Sequence, residues 1–166
     1  QVIRSDRKLR GVMSSIDGSH TFELAFDHRK TVASTSLEPR PKIEIYFITS
    51  IVIHNITMVL NDDPANVSNC GLVHDVDITV GTASNKKFCQ DFPGTKVNEP
   101  CNQLFVFLKC REPTFSDFLQ IEITRPPNNC LPEYNCDGFA GLNMLRVEEI
   151  FINSELNELQ NISKFL

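Results

Sequence analysis

The chain of 166 residues contains no tryptophan and only two tyrosines, Tyr46 and Tyr134, so aromatic packing falls to 12 phenylalanines. Its six cysteines include no C-x-x-C pair, and no Cys/His cluster has finger-like spacing, which argues against a zinc module. Long apolar runs are missing too. The longest, near Ile51 to Leu60, is interrupted by His54, Asn55 and Thr57 and is far too short to span a bilayer. The net charge of −5 is mild and no block of one sign occurs, so the clustered basic stripe of a nucleic-acid surface is absent. Arg4, Arg7, Lys8 and Arg10 make only a short basic start, which reads as a solvated terminus. No signal peptide is visible, as expected for a mature chain. Hydrolase signatures are lacking: there is no G-x-S-x-G, no H-E-x-x-H and no phosphate loop. The adjacent pairs Asp62-Asp63 and Glu148-Glu149 do not replace them, because neighbours on a strand point to opposite faces and cannot flank one glycosidic bond. His20, His28, His54 and His74 are each isolated, which reads as surface or core filling.

What is present points to a secreted β domain. The cysteine count is even, and sequons stand at Asn55-Ile56-Thr57, Asn66-Val67-Ser68 and Asn161-Ile162-Ser163. Together they favour the secretory route, with the protein secreted or held on the extracellular face of the cell surface. The length suits one domain that buries roughly 70% of its unfolded surface. Period-2 alternation dominates. Ile43, Ile45 and Phe47 alternate with Lys42, Glu44 and Tyr46, and a second β-branched run covers Ser50 to Leu60. Further strands are predicted at Val73 to Val80, Leu104 to Cys110, Phe118 to Thr124 and Met144 to Ile152, with a turn at Pro113. Residues 154–166 place Leu156, Leu159, Ile162 and Leu166 at helical spacing, a terminal helix or linker beyond a 1–153 domain. Short strands without helix–strand alternation predict an all-β sandwich or barrel.

Several segments follow one another as in a known fold. They are Leu9-Arg10-Gly11-Val12-Met13-Ser14-Ser15, Ala25-Phe26-Asp27, Pro41 to Phe47, Cys70 to Gly81, Phe107-Leu108-Lys109-Cys110 and Leu142 to Ile152. In that order they are similar to the Gly-x-x-x-Ser-Ser, Ala-x-Asp-Gly, Pro-Trp-Trp, Val-Gly, Phe-x-Cys and closing-strand motifs of the discoidin or galactose-binding-like family. The chain most resembles its F-type (fucose-binding) lectin branch, over about residues 9 to 152. The resemblance implies a jelly-roll β-sandwich acting as a non-enzymatic extracellular recognition module, lectin-like and carbohydrate-binding. The alternative on the same scaffold is a protein-binding adhesion domain. Expected partners are therefore a glycan or an extracellular protein, and no nucleic acid. The family also suggests joining Cys89 to Cys110. Cys130 and Cys136 lie in one loop, which leaves Cys70 with Cys101, one of the 15 pairings that six cysteines allow.

The branch's fucose motif is not retained. F-type lectins use a histidine before the Pro-Trp-Trp strand and an Arg-x-Asp-Cys-Cys-x-x-Arg segment. Here Ser34-Thr35-Ser36-Leu37-Glu38 precede Pro41, Asn55-Ile56 stands at the first arginine, and Gly71-Leu72-Val73 follows a single cysteine, Cys70. The candidate ligand contacts are then Asp27, His28, Arg29, Asp62, Asp63, Arg111 and Tyr134. Tyr134 lies in a long 126–141 loop that serves either for binding or as a surface insertion. The one cofactor implied is a structural calcium ion on Asp27 and Glu148, with Glu149 the alternative by one residue of register. His28-Arg29-Lys30 replaces the family's Gly-Asn there and adds positive charge.

Overall fold

A computed structural model describes residues 9–61, 69–101, 103–127 and 130–154. Asp62, Asp63, the sequons at Asn66 and Asn161, and the segment 155–166 lie outside the described residues.

Two long strands carry the architecture. β3 (Lys42–Leu60) and β7 (Leu104–Ile123) pair antiparallel along nearly their whole length. The sequence predicts each as two strands, and the reason is a corner at which the ribbon stays paired but bends. Tyr46 pairs with Phe118 and Ile51 with Ser116, so Phe47 to Ser50 bulge opposite Asp117 alone. Ile53 pairs with Thr114 and Asn55 with Lys109, so Cys110 to Pro113 bulge opposite His54 alone. Pro113 has no N–H for a ladder and is accommodated in that bulge. Bulges on both strands turn the ribbon sharply. The inward set of β3 records the bend. It runs Ile43, Ile45, Phe47, then Ile51, Ile53, then changes phase to Ile56, Met58, Leu60.

Either side of the corner, the ribbon recruits different neighbours. The first half lies in the order β1 (Leu9–Met13), β3, β7, β4 (Val76–Thr82), β5 (Asn85–Phe92), and the second half pairs with β10 (Glu149–Ser154). Ile45, Val80 and Ile121 from one half and Met58, Leu108 and Ile152 from the other meet in one buried cluster. The result is an all-β jelly-roll sandwich. Shorter pieces close its ends: a 3-10 turn at Phe22–Ala25, β2 (Ala33–Ser34), α1 (Asn69–Leu72), β6 (Thr95–Lys96), β8 (Tyr134–Asn135) and β9 (Arg146–Val147). Gly11 is required in β1 because the Phe22 ring lies over it, and a Cβ there would stand 2.3 Å from the ring.

β5 is the strand the sequence pattern does not reveal. It is an edge strand exposed from Asn85 through Phe88, so it shows no alternation. Lys86 and Lys87 on it are the charges that keep an edge from pairing with another chain. The single predicted strand Met144 to Ile152 is instead split at Glu148, with β9 pairing to β2 and β10 to β3.

Cys70 stands with Cys101, Cys89 with Cys110 and Cys130 with Cys136, at Cα–Cα distances of 6.2, 4.4 and 6.3 Å. The second of these ties the edge strand to the corner bulge. It closes a loop of 21 residues, so replacing both Cys89 and Cys110 by serine is expected to cost about 3 kcal/mol. Urea unfolding of the oxidised protein, native against double variant, reads this directly.

Candidate functional site

On the outer face of the five-stranded half, the register aligns Lys42, Glu122, Asp77 and Asp91 in one cross-strand row. Like charges directly opposite each other destabilise a sheet, and here three carboxylates stand side by side. Asp77 is in the middle. Burial pushes its carboxyl up, Asp91 and Glu122 raise it further, and Arg125 and Arg40 pull it back. Arg40 is also ion-paired to Glu122. A conflict of this kind, kept within an otherwise self-consistent sheet, makes the row a candidate site.

Segment 130–134 arches beside the end of the row and lines a half-open cleft of about 320 Å³ with Asp75, Asp77, Asp91, Thr124 and Arg125. That is at the lower end of the range for small-ligand sites. Leu131, Pro132 and Tyr134 supply its apolar surface. The Cys130–Cys136 link and the pairing of β8 with β6 hold the arch in place.

A buried polar hub supports the cleft from beneath. His74 is fully buried, with Nδ1 2.9 Å from the Asp75 carboxylate and Nε2 3.0 Å from Asn143 Oδ1. The Asn143 amide donates to the carbonyls of Pro39 and Arg125. One asparagine thus joins the approach to β3, the exit of β7 and the histidine that orients Asp75. His74, Asp75 and Cys136 bring three potential ligand atoms within 4.8 Å of one another. The Cys136 sulfur is bound to Cys130, so no thiolate remains there for a metal.

Of the residues singled out in the sequence, Tyr134 lines this cleft. Arg111 stands exposed in the corner bulge of β7, and Asp27, His28 and Arg29 lie against β10 on the other half. The structure does not gather them into one site. Asp75, Asp77, Asp91 and Arg125, which also line the cleft, are not singled out by the sequence. The alternation of Asp75 and Asp77 with His74 and Val76 was a usable signal, but the row needs Asp91, and Asp91 sits on the strand that the pattern conceals.

The Asp27 loop has its own geometry. The Asp27 carboxylate accepts from the Arg29 N–H at 2.9 Å and from Thr31 Oγ1 at 2.5 Å. His28, at φ +58°, donates its N–H to Glu149 at 3.1 Å and packs its ring 5.9 Å from that of Phe151. It is Glu149, not Glu148, that meets this loop. Glu148 lies one residue ahead of β10, is buried, and leaves Oε2 without a hydrogen-bond partner. Burial pushes both carboxyls up. Glu149 reaches about 7, with Asp27 and Glu148 adding to the rise and the His28 N–H opposing it.

Calcium needs about six to eight oxygen ligands. Here the carboxylates of Asp27 and Glu149 are engaged by N–H and hydroxyl donors, and an imidazole nitrogen stands 3.8 Å from Glu149. Among the described residues no three His, Cys, Asp or Glu side chains bring ligand atoms together at this loop. The donor set does not fit the ion, and a proton on Glu149 relieves the charge instead. The native state therefore holds a proton that the unfolded chain releases near 4.5, and this contribution to stability falls as pH rises from there through 7. Glu149→Gln is expected to flatten that fall by up to about 3 kcal/mol. Urea midpoints at pH 4.5 and pH 8, native against variant, test it.

No family model matches the sequence, and no curated protein does. Solved structures do match. The chain superposes on CBM32-3 from a family 31 glycoside hydrolase of Clostridium perfringens with a TM-score of 0.64 and 16% identity, covering 92% of this chain and 94% of that one. A Streptococcus pneumoniae fucose binding module gives 0.60 at 18% identity, covering 89% and 93%. A fucolectin from striped bass (Morone saxatilis) serum gives 0.62 at 12% identity over 89% of this chain, which spans about half, 47%, of that protein. At these identities the likeness establishes architecture: the chain has the galactose-binding-domain-like β-sandwich fold shared by these carbohydrate-binding modules and lectins.

Proposed function

We propose that the chain is a non-enzymatic, extracellular, lectin-like domain that binds a saccharide in the cleft of Asp75, Asp77, Asp91, Arg125 and Tyr134. One observation carries the reading: a row of like-charged carboxylates is kept at the open end of a sheet, beneath an arch bearing a tyrosine. Sugar hydroxyls are donors for Asp75, Asp77 and Asp91, and sugar oxygens are acceptors for Arg125. The apolar C–H face of a pyranose suits the Tyr134 ring and Leu131. Three carboxylates against one guanidinium repel acidic saccharides, so the cleft selects neutral or amino sugars over sialylated or sulfated ones. The chemistry differs from the histidine and two arginines of F-type lectins, so the ligand need not be fucose. The three cysteine pairs support an extracellular setting.

The test is a glycan array of protein made in a secretory eukaryotic host, run with the native chain, Tyr134→Ala and Arg125→Ala. A coherent set of neutral or amino glycans is expected, weakened at least about tenfold, or roughly 1.4 kcal/mol, by each substitution. A blank array with folded protein, hits indifferent to both substitutions, or turnover of a glycoside would each overturn it. A blank array would move the assignment to the protein-binding alternative.

A further inference from the structure

The outer face of the three-stranded half is unexpectedly apolar. Register places Asn153, Asn55 and Lys109 in one row, Phe151, Thr57 and Phe107 in the next, and Glu149, Val59 and Phe105 in the third. All nine side chains point outward, because Ile56, Met58, Leu108 and Ile150 between them are core. Phe105 and Phe107 are each 60% exposed. Two phenylalanines two residues apart on one strand form a patch that a protein ordinarily covers. Glu149 and Val59 are themselves buried and His28 packs on Phe151, so the exposed apolar part of the face is Phe105 and Phe107 on β7.

Something that fits the remainder is written into the same face. Asn55-Ile56-Thr57 is a glycosylation sequon, and Asn55 and Thr57 are its two outward residues. Asn55 stands at the corner, where the β7 bulge opens the ladder beside it. Its Oδ1 accepts a hydrogen bond from the Asn153 amide. That hydrogen bond engages Oδ1 and not Nδ2, the atom a glycan is joined to. Its cross-strand neighbour Lys109 and its neighbour Asn153 are both exposed, so these two leave room for an attached sugar. Phe107 is diagonal to Asn55, roughly 7 Å away and within reach of the first sugar rings.

We infer that Asn55 carries an N-linked glycan whose first N-acetylglucosamine residues lie over Thr57 and Phe107 and cover this apolar face. A pyranose presents C–H groups to the ring below and hydroxyls to solvent, and this amphipathic cover suits an isolated aromatic stripe. The bond formed joins Asn55 Nδ2, which gives up one proton, to the sugar's anomeric carbon; the bond broken is that carbon's bond to the pyrophosphate oxygen of a lipid-linked oligosaccharide donor of the secretory pathway, and the lipid pyrophosphate leaves. The inference rests on the extracellular part of the proposed function and is independent of the cleft.

The experiment uses the full chain secreted from a eukaryotic host. Peptide mapping by mass spectrometry reads occupancy at Asn55, Asn66 and Asn161. Melting temperature and binding of an apolar fluorescent dye are then compared for four forms: native, trimmed to one N-acetylglucosamine, Asn55→Gln and Thr57→Ala. The expected result is an occupied Asn55. Either sequon substitution should lower the melting temperature by about 2–4 °C and raise dye fluorescence, and the trimmed form should resemble the native. Phe107→Ser should abolish the difference made by Asn55→Gln. An occupied Asn66 or Asn161 with an empty Asn55 would overturn this inference alone. All three sequons empty would overturn the extracellular setting with it. An occupied Asn55 whose loss moves neither readout would overturn the covering role.

Discussion

The corner in the β3–β7 ribbon is the constraint on which the rest of the structure depends. Without the paired bulges at Phe47–Ser50 and Cys110–Pro113, the two strands would form one flat antiparallel ribbon with a single face to bury. The bend folds the ribbon over itself, so Ile43 and Ile45 at one end close on Ile56 and Met58 at the other. Each half then collects only the strands that fit its own inward phase. The change of phase between Ile53 and Ile56 is required by this, since a one-residue slip without the bulge would turn Ile56, Met58 and Leu60 to solvent. Cys89–Cys110 fastens the corner to the edge strand where the ladder is weakest.

Once the corner fixes the outer faces, their contents separate by chemistry. The five-stranded half carries two kinds of row. Tyr46 packs its ring against Phe118, with Arg10 over Tyr46 and Lys86 over Phe118, a sealed and self-satisfied patch. Two pleat repeats away, Glu122, Asp77 and Asp91 repel one another, Arg40 pairs with Glu122, and Arg40 and Arg125 offset the charge on Asp77. The first row is satisfied within the chain, and the second keeps like charges side by side. The hub of His74 and Asn143 makes this tolerable by locking three chain segments beneath the cleft, so the charges cannot relax by opening it. The three-stranded half resolves its own exposed face differently, with the His28 loop on one side and a sequon on the other.

The buried strands were legible in the sequence because burial on one face imposes alternation. Ile43, Ile45 and Phe47, or Val76, Ile78 and Val80, announce themselves. The ordered series of motifs, although each alone was weak, pointed to the sandwich that the structure has. What stayed hidden follows from the same physics. β5 is an exposed edge with nothing to alternate against, and the corner is a pairing between residues some sixty positions apart, which no local pattern encodes. The cleft inherits both difficulties. Asp77 and Asp91 become neighbours only through the β4–β5 register, so the sequence drew attention to acidic and basic clusters along the chain, Asp27 to Arg29 among them, that the fold scatters. Tyr134, which lines the cleft, was singled out because a disulfide-bridged loop on a rigid scaffold is a reasonable place to look. The one-residue ambiguity between Glu148 and Glu149 was decided by the break between β9 and β10, a feature of pairing and not of composition.

The most direct test of the central claim is an NMR titration of isotopically labelled protein with galactose, N-acetylgalactosamine and glucosamine in turn. The account predicts saturable backbone amide shifts for at least one sugar, concentrated at Asp75, Asp77, Asp91, Thr124, Arg125 and Tyr134, with the Asp27–Thr31 loop unmoved. Shifts centred on the Asp27 loop, or none with any of the three at millimolar concentrations, would contradict it.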